Sequence, residues 1–268
     1  MNRLETYLAN MKEHGDKAAI FFITAGDPSI DETLEIMLSM AENGADCIEL
    51  GMPFSDPIAD GPVIQRSTAR ALQHKITIND ILELVSRFRE KADTPVVLMG
   101  YYNPVMRFGI ESLAKACAKN GVDGLIIADL PYEEGEEIEI ITREHKVSLI
   151  YLLAPDLDPA RTESIVRSSR GFVYCVAQYS PTGVETAARE NVLPETIKSL
   201  QKMTDLTIAL GFGISSLDKV KEMSQMADGI IIGSWLIREL EASTQKAATA
   251  GRFVHDVKSI QKSVKKAS

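Results

Sequence analysis

Gly229-Ile230-Ile231-Ile232 carries no polar side chain, and Leu149-Ile150-Tyr151-Leu152-Leu153 is nearly as apolar. Side chains of a strand alternate between the two faces of its sheet. A strand with one wet face would therefore alternate apolar with polar. An unbroken apolar run needs cover on both faces, the condition of parallel strands packed under crossover helices. Outward from these two, the same reading gives strands at Ala18 to Thr24, Asp46 to Leu50, Pro95 to Tyr101, Gly124 to Ala128, Ser148 to Leu153, Phe172 to Ala177, Thr207 to Leu210 and Gly229 to Ile232. They recur at roughly 30 residues, the size of one strand–helix–strand unit. The segments between carry apolar residues at helical spacing, as in Leu34, Met37, Leu38 and Met40, or Ile81, Leu84, Val85 and Phe88. Eight such units most naturally close into a (β/α)8, or TIM, barrel, with an open doubly wound sheet as the competing arrangement.

At roughly 150 residues per domain, a chain of 268 residues leaves one large domain or two small ones open. No low-complexity stretch or polar linker divides it, so residues 1–268 are read as a single barrel domain. Leu4, Leu8 and Met11 recur at helical spacing in an extra N-terminal helix, placed to cover the bottom of the barrel. Residues 235–248 and 252–264 read as two additional C-terminal helices, and the basic run Lys258 to Lys266 as a solvated helix end.

The formal charge of −9, from 29 Lys and Arg against 38 Asp and Glu, argues against general affinity for a nucleic-acid backbone. It leaves a small anion possible, because helix N-termini bind phosphate through backbone N–H groups. Cys47, Cys117 and Cys175 are odd in number and form no CxxC pair, so neither a disulfide framework nor a zinc site is expected. The N-terminus lacks the apolar core of a signal peptide, and no apolar run is long enough to cross a bilayer. The expectation is a cytoplasmic protein without a membrane span.

In such a barrel the reacting groups lie at the C-terminal ends of the strands and in the loops that follow. With Ile48 and Leu50 turned to the helices, Glu49 points into the barrel near its top. Apolar surroundings would raise its pKa toward neutrality and suit it to general acid–base work. The bland alternative is a structural carboxylate paired with an inward cation, and the predicted strands supply no obvious one. Asp56 and Asp60 follow in a loop stiffened by Pro53, Pro57 and Pro62; turn or capping chemistry is their alternative reading. Gly211-Phe212-Gly213-Ile214-Ser215-Ser216 and Gly233-Ser234 end the seventh and eighth predicted strands, where glycines admit an anion and the barrel rule places phosphate. The fragment lacks the third glycine of a dinucleotide fingerprint. After the sixth strand, the long polar segment from Gln178 to Asn191 reads as a lid, or else as a disordered connection.

The segment Glu49-Leu-Gly-Met-Pro-Phe-Ser-Asp-Pro-Ile-Ala-Asp-Gly-Pro62 resembles the signature of the tryptophan synthase alpha chain family. Phe22-Ile-Thr-Ala-Gly-Asp-Pro28, Tyr101-Tyr-Asn-Pro104, Asp129-Leu-Pro131, Thr182-Gly183, Gly211-Phe-Gly-Ile-Ser215 and Gly233-Ser234 resemble its other blocks, in order. The resemblance implies a lyase splitting indole-3-glycerol phosphate into indole and glyceraldehyde 3-phosphate by a retro-aldol reaction. It implies that Glu49 protonates indole C3 and takes the side-chain hydroxyl proton, and that Asp60 accepts the indole N–H. Tyr174 would shape the site, Thr182 would position the Asp60 loop under a closed lid, and Phe22, Tyr101 and Phe212 would wall the indole pocket. Gly183, Gly213, Gly233 and Ser234 would hold the phosphate.

By the same resemblance, a beta chain carrying pyridoxal phosphate would be the partner in an α2β2 assembly, faced by Pro53, Asp56 and the lid. No cofactor or metal is expected on this chain. The chain departs from the family's pattern in two places: Ser180-Pro181 stands where Gly-Val is usual before Thr-Gly, and Trp235 where a small residue is usual. A stand-alone lyase releasing free indole, a phosphosugar isomerase on a similar barrel and a non-catalytic regulatory subunit are the competing functions.

Overall fold

A computed structural model describes residues 1–155, 157–176, 192–211 and 213–265, with the backbone alone at 192 and 265. Its strands are β1 (Ala18–Thr24), β2 (Cys47–Gly51), β3 (Val96–Gly100), β4 (Gly124–Ile127), β5 (Ser148–Leu149), β6 (Leu152–Leu153), β7 (Phe172–Val176), β8 (Thr207–Gly211) and β9 (Gly229–Ile232). The helices are α1 (Arg3–Glu13), α2 (Ile30–Glu42), α3 (Pro62–Gln73), α4 (Ile78–Arg89), α5 (Tyr102–Phe108), α6 (Ile110–Asn120), α7 (Glu136–Glu144), α8 (Pro159–Ser168), α9 (Val192–Met203), α10 (Leu217–Met226), α11 (Ser234–Ala242) and α12 (Lys246–Lys265).

All strand pairs are parallel, in the order β5-β4-β3-β2-β1-β9-β8-β7-β6. The two ends of that order, β5 and β6, are halves of the one strand expected over Ser148 to Leu153, so the sheet closes on itself as the barrel anticipated. Alternation continues across the interruption. Ile150 packs among the residues inside the barrel, whereas Leu149, Tyr151 and Leu153 face the helices. Outward, Tyr151 donates from its hydroxyl to Glu139 Oε1 (2.8 Å) and meets Tyr132 edge-on.

Two apolar layers result. Outside the sheet, residues such as Phe21, Ile48, Leu50, Leu98 and Ile230 pack against the helices. Inside lie Ala18, Ile20, Cys47, Val97, Ile126, Phe172, Tyr174, Ala209 and Ile231, closed from below by Leu4 and Leu8 of α1. Helix α1 starts on a capping box, with Asn2 Oδ1 accepting the Glu5 N–H (3.0 Å) and Glu5 Oε2 accepting the Asn2 N–H (3.3 Å).

The bottom of the barrel is pinned by three aspartates that the sequence reading did not single out. Each precedes a strand and accepts a backbone N–H from the neighbouring one: Asp46 from Ala19 (2.7 Å), Asp123 from Val96 (2.9 Å) and Asp228 from Ile208 (3.1 Å). Each also meets a cation from a helix. Lys258 of α12 pairs with Asp46, Arg3 and Arg89 with Asp123 (2.9 and 2.8 Å), and Lys12 with Asp228 (3.0 Å). Lys258 is thus part of the barrel's closure rather than of a solvated helix end. The C-terminal helices also break at 243–245, not at 249–251. Gly251 lies within α12, where a Cβ would come 2.5 Å from Ser39 Oγ; it allows α12 to approach α2 closely.

Candidate active site

Glu49 sits in β2 beside Phe22 of β1 and Val97 of β3. Period-2 alternation turns it inward with Cys47 while Ile48 and Leu50 join the outer layer. It is fully buried, and neither carboxyl oxygen has a hydrogen-bond partner among the described residues. Burial alone pushes its pKa up to about 8. Near neutral pH it therefore holds its proton, poised as an acid, as burial disfavours the charged form. Unsatisfied buried polar groups are few in native proteins and often have a catalytic use.

Asp60 approaches from the loop after β2. That loop is tightened by two turns, with the Ile58 N–H on Asp56 O (2.9 Å) and the Asp60 N–H on Pro57 O (3.1 Å), before Pro62 opens α3. Burial raises the Asp60 carboxyl to about 6, opposed by a hydrogen bond with the Tyr101 side chain. Tyr101 Oη also accepts the Ala59 N–H (3.1 Å), and its ring packs on Phe54 at 5.5 Å. Tyr101 thus braces the Asp60 loop from beside the cleft. Both carboxyls are raised by burial, Glu49 further than Asp60, because Asp60 keeps a hydrogen bond with the Tyr101 side chain that favours its charged form and Glu49 has none among the described residues.

Phe22, Tyr174, Met99, Ile64, Ile214 and Ile231 wall the cleft that holds these carboxyls, and Gly213, Gly233 and Ser234 lie at its edge. Tyr174 is buried, and burial together with the charges of Glu49 and Asp60 holds its hydroxyl well above the ordinary range. Its ring lies where a Cβ on Gly211 would come within 2.3 Å of Cε1, so the end of β8 has room for glycine alone. Gly213 adopts a left-handed φ of +78°. Gly233 caps α11 without a side-chain bond, leaving the first N–H groups of that helix available to an anion. Met99 and Ile231 were legible from strand alternation. Ile64 was not, because its place depends on how α3 swings back over the barrel.

Behind the cleft, α3 and α11 are tied by charge. Glu241 accepts from Arg66 (3.1 and 2.9 Å) and Arg70 (2.9 Å), and Arg70 forks onto Asp27 (2.8 and 2.7 Å). Pro53 and Asp56 lie at the same end, Asp56 exposed and Pro53 partly so. Thr182, Gly183 and Phe212, with the segment read as a lid, lie outside the described residues.

A parallel α/β barrel with a buried carboxyl on one strand and a second on the loop that follows it, beside an uncapped helix N-terminus, has the layout of a barrel enzyme acting on a small phosphorylated substrate. The family model described as tryptophan synthase alpha chain matches residues 8–267. The tryptophan synthase alpha chain of Caldanaerobacter subterraneus subsp. tengcongensis is 45% identical over 243 residues, covering 90% of this chain and 91% of the relative. That of a Thermoanaerobacter species is 41% identical over 268 residues, covering 99% of each. Among solved structures, tryptophan synthase subunit alpha from Legionella pneumophila str. Paris superposes with a TM-score of 0.89 at 34% identity, over 98% of this chain and 99% of that one. The chain belongs to the tryptophan synthase alpha chain family.

Proposed function

We propose that this chain, as the lyase component of tryptophan biosynthesis, splits indole-3-glycerol phosphate into indole and glyceraldehyde 3-phosphate. The observation that carries this reading is two carboxyls lining one largely apolar cleft, Glu49 fully buried without a hydrogen-bond partner among the described residues and Asp60 hydrogen-bonded to Tyr101. Glu49, as the acid, gives its proton to indole C3. Positive charge then develops at the ring N–H, and ionised Asp60 accepts that N–H and offsets the charge. The side-chain hydroxyl next loses its proton to the Glu49 carboxylate. Its oxygen becomes the aldehyde carbonyl, the bond from C3 to the side chain breaks, and the bonding pair returns to the ring. Indole leaves and Glu49 is again protonated, so one carboxyl serves both transfers without net proton change.

Gly213, Gly233 and Ser234 hold the phosphate, chiefly through backbone N–H groups, and Phe22 and Tyr174 pack against the indole. Thr182, Gly183 and Phe212 keep the roles the family resemblance implies. In this reading residues 1–268 are one barrel domain without cofactor or metal, and indole passes to a beta chain that carries pyridoxal phosphate, in an α2β2 complex. Support for a partner at this face comes from Ile58, 83% exposed two residues beyond Asp56 on the loop after β2. Among the described residues no helix is long and apolar enough to cross a membrane, and the cytoplasm is the proposed location.

The test is direct. The purified chain is incubated with indole-3-glycerol phosphate and indole is detected as it forms; no indole, with or without beta chain, overturns the reading. Activation by beta chain and co-elution on a sizing column are expected. If both fail while indole forms, the chain is a stand-alone lyase.

A further inference from the structure

Helix α11 is held at its two ends by different means. Its last turn is fixed by Glu241 between Arg66 and Arg70. Its first turn, where the earliest internal bond runs from the Ile237 N–H to Gly233 O (3.0 Å), has no capping side chain. It opens instead on the cleft that also holds the buried, unpartnered carboxyl of Glu49.

What steadies this first turn is Trp235, the second residue of the helix and the only tryptophan of the chain. Its ring stands edge-on to Phe253 at 4.6 Å and 73°, and Phe253 in turn meets Phe21 at 6.2 Å and 78°. Its Nε1–H donates to Glu239 Oε1 (3.2 Å), one turn along the helix, which fixes the ring's direction. Phe253 belongs to α12, itself anchored to the barrel through the Lys258–Asp46 ion pair and through Gln261 Nε2 on Ala18 O (3.0 Å). Phe21 directly precedes Phe22, which lines the cleft, and a Cβ on Gly233 would come 3.3 Å from the Phe22 Cβ. The first turn of α11 is thereby wedged between the cleft wall and a helix fastened to the bottom of the barrel.

We infer that Trp235 is a positioning residue for the substrate's phosphate: by clamping the first turn of α11 to α12, it holds that turn's N–H groups in place before the anion arrives. This rests on the reading of the α11 N-terminus as the phosphate site. Preorganisation lowers the cost of ordering on binding. An edge-to-face aromatic pair is strong enough to change a binding constant by roughly three- to tenfold.

Trp235→Ala and Trp235→Phe are compared with the unaltered chain using indole-3-glycerol phosphate, its dephosphorylated counterpart, and inorganic phosphate as competitor. For Trp235→Ala, KM for the phosphorylated substrate and Ki for phosphate should both rise about three- to tenfold. Its kcat, and its turnover of the dephosphorylated compound, should move less than about twofold, and Trp235→Phe should recover most of the loss. Unchanged KM and Ki in Trp235→Ala, or equal losses on both substrates, overturn the inference. If Trp235→Ala does not fold, Phe253→Leu, which removes only the facing ring, is read in the same assays against the same outcomes. A wild-type chain that ignores phosphate and handles both substrates alike instead removes the phosphate site, and the inference with it.

Discussion

Replacing Glu49 by glutamine should destroy turnover and at the same time stabilise the fold. Burial without a partner raises this carboxyl from the ordinary 4.5 to about 8. A raised acid pKa means that the folded chain keeps a proton the unfolded chain releases. This group's contribution to stability therefore falls as pH rises from 4.5 to 8. At about 1.4 kcal/mol per pH unit, the penalty is about 1 kcal/mol at pH 5 and about 3 kcal/mol at pH 7. Glutamine keeps the shape, is neutral like the protonated acid, and does not titrate. Urea unfolding of both proteins at the two pH values should show the variant gaining about 2 kcal/mol relative to wild type between pH 5 and 7. Indole release should fall by about 10⁴-fold or more, because in the proposed reaction one carboxyl performs both proton transfers and each is worth roughly 10²–10⁴. Turnover within tenfold of wild type would refute the assignment of the acid, and a stability difference independent of pH would refute its unpaired burial.

The pH dependence of kcat/KM should be bell-shaped, falling below about 6 as Asp60 takes up a proton and above about 8 as Glu49 loses one; a curve with a single limb contradicts the pairing. Asp60→Asn should lower turnover by about 10²–10³ and leave residual indole formation, the loss expected when charge stabilisation is removed but the acid remains; a loss below tenfold would take Asp60 out of the chemistry. Asp123→Ala leaves Arg89 and the Val96 N–H without their buried partner and should cost about 3–5 kcal/mol by urea unfolding, with kcat unchanged in the folded fraction. A cost below about 1 kcal/mol would mean that the bottom of the barrel is not held as described.

The strands were legible because burial on both faces leaves nothing polar to obscure them, and Glu49 was legible because a charged residue inside such a run has a direction as well as a position. What long-range geometry decides was hidden. Asp46, Asp123 and Asp228 each follow an apolar residue and precede a strand, a visible repeat, yet Lys258, Arg89 and Lys12 are far from them in sequence. Tyr101 has the composition of a pocket wall, and only the folded loop shows its hydroxyl under Ala59 and Asp60. Gly251 looks like a helix breaker until Ser39 is found where its Cβ would go.

The two ends of the barrel provide differently for their buried carboxyls, and this separates architecture from chemistry. Burial raises Asp46 and Asp123 as it raises Glu49, but at each of the two a cation and a strand N–H bind the charged form and offset part of that rise. Such groups lock one strand register to the next, and proton exchange at them would undo the lock. Among the described residues Glu49 has neither partner, which in the proposed reaction leaves its proton available for exchange with the substrate. A fold that supplies a cation to the carboxyls at its base could have done so at its top. The penalty expected for leaving Glu49 unpaired, about 3 kcal/mol at pH 7, is a sizeable share of the 5–15 kcal/mol that holds a domain together, and the proposed proton transfer, unlike packing, gives a reason for retaining it.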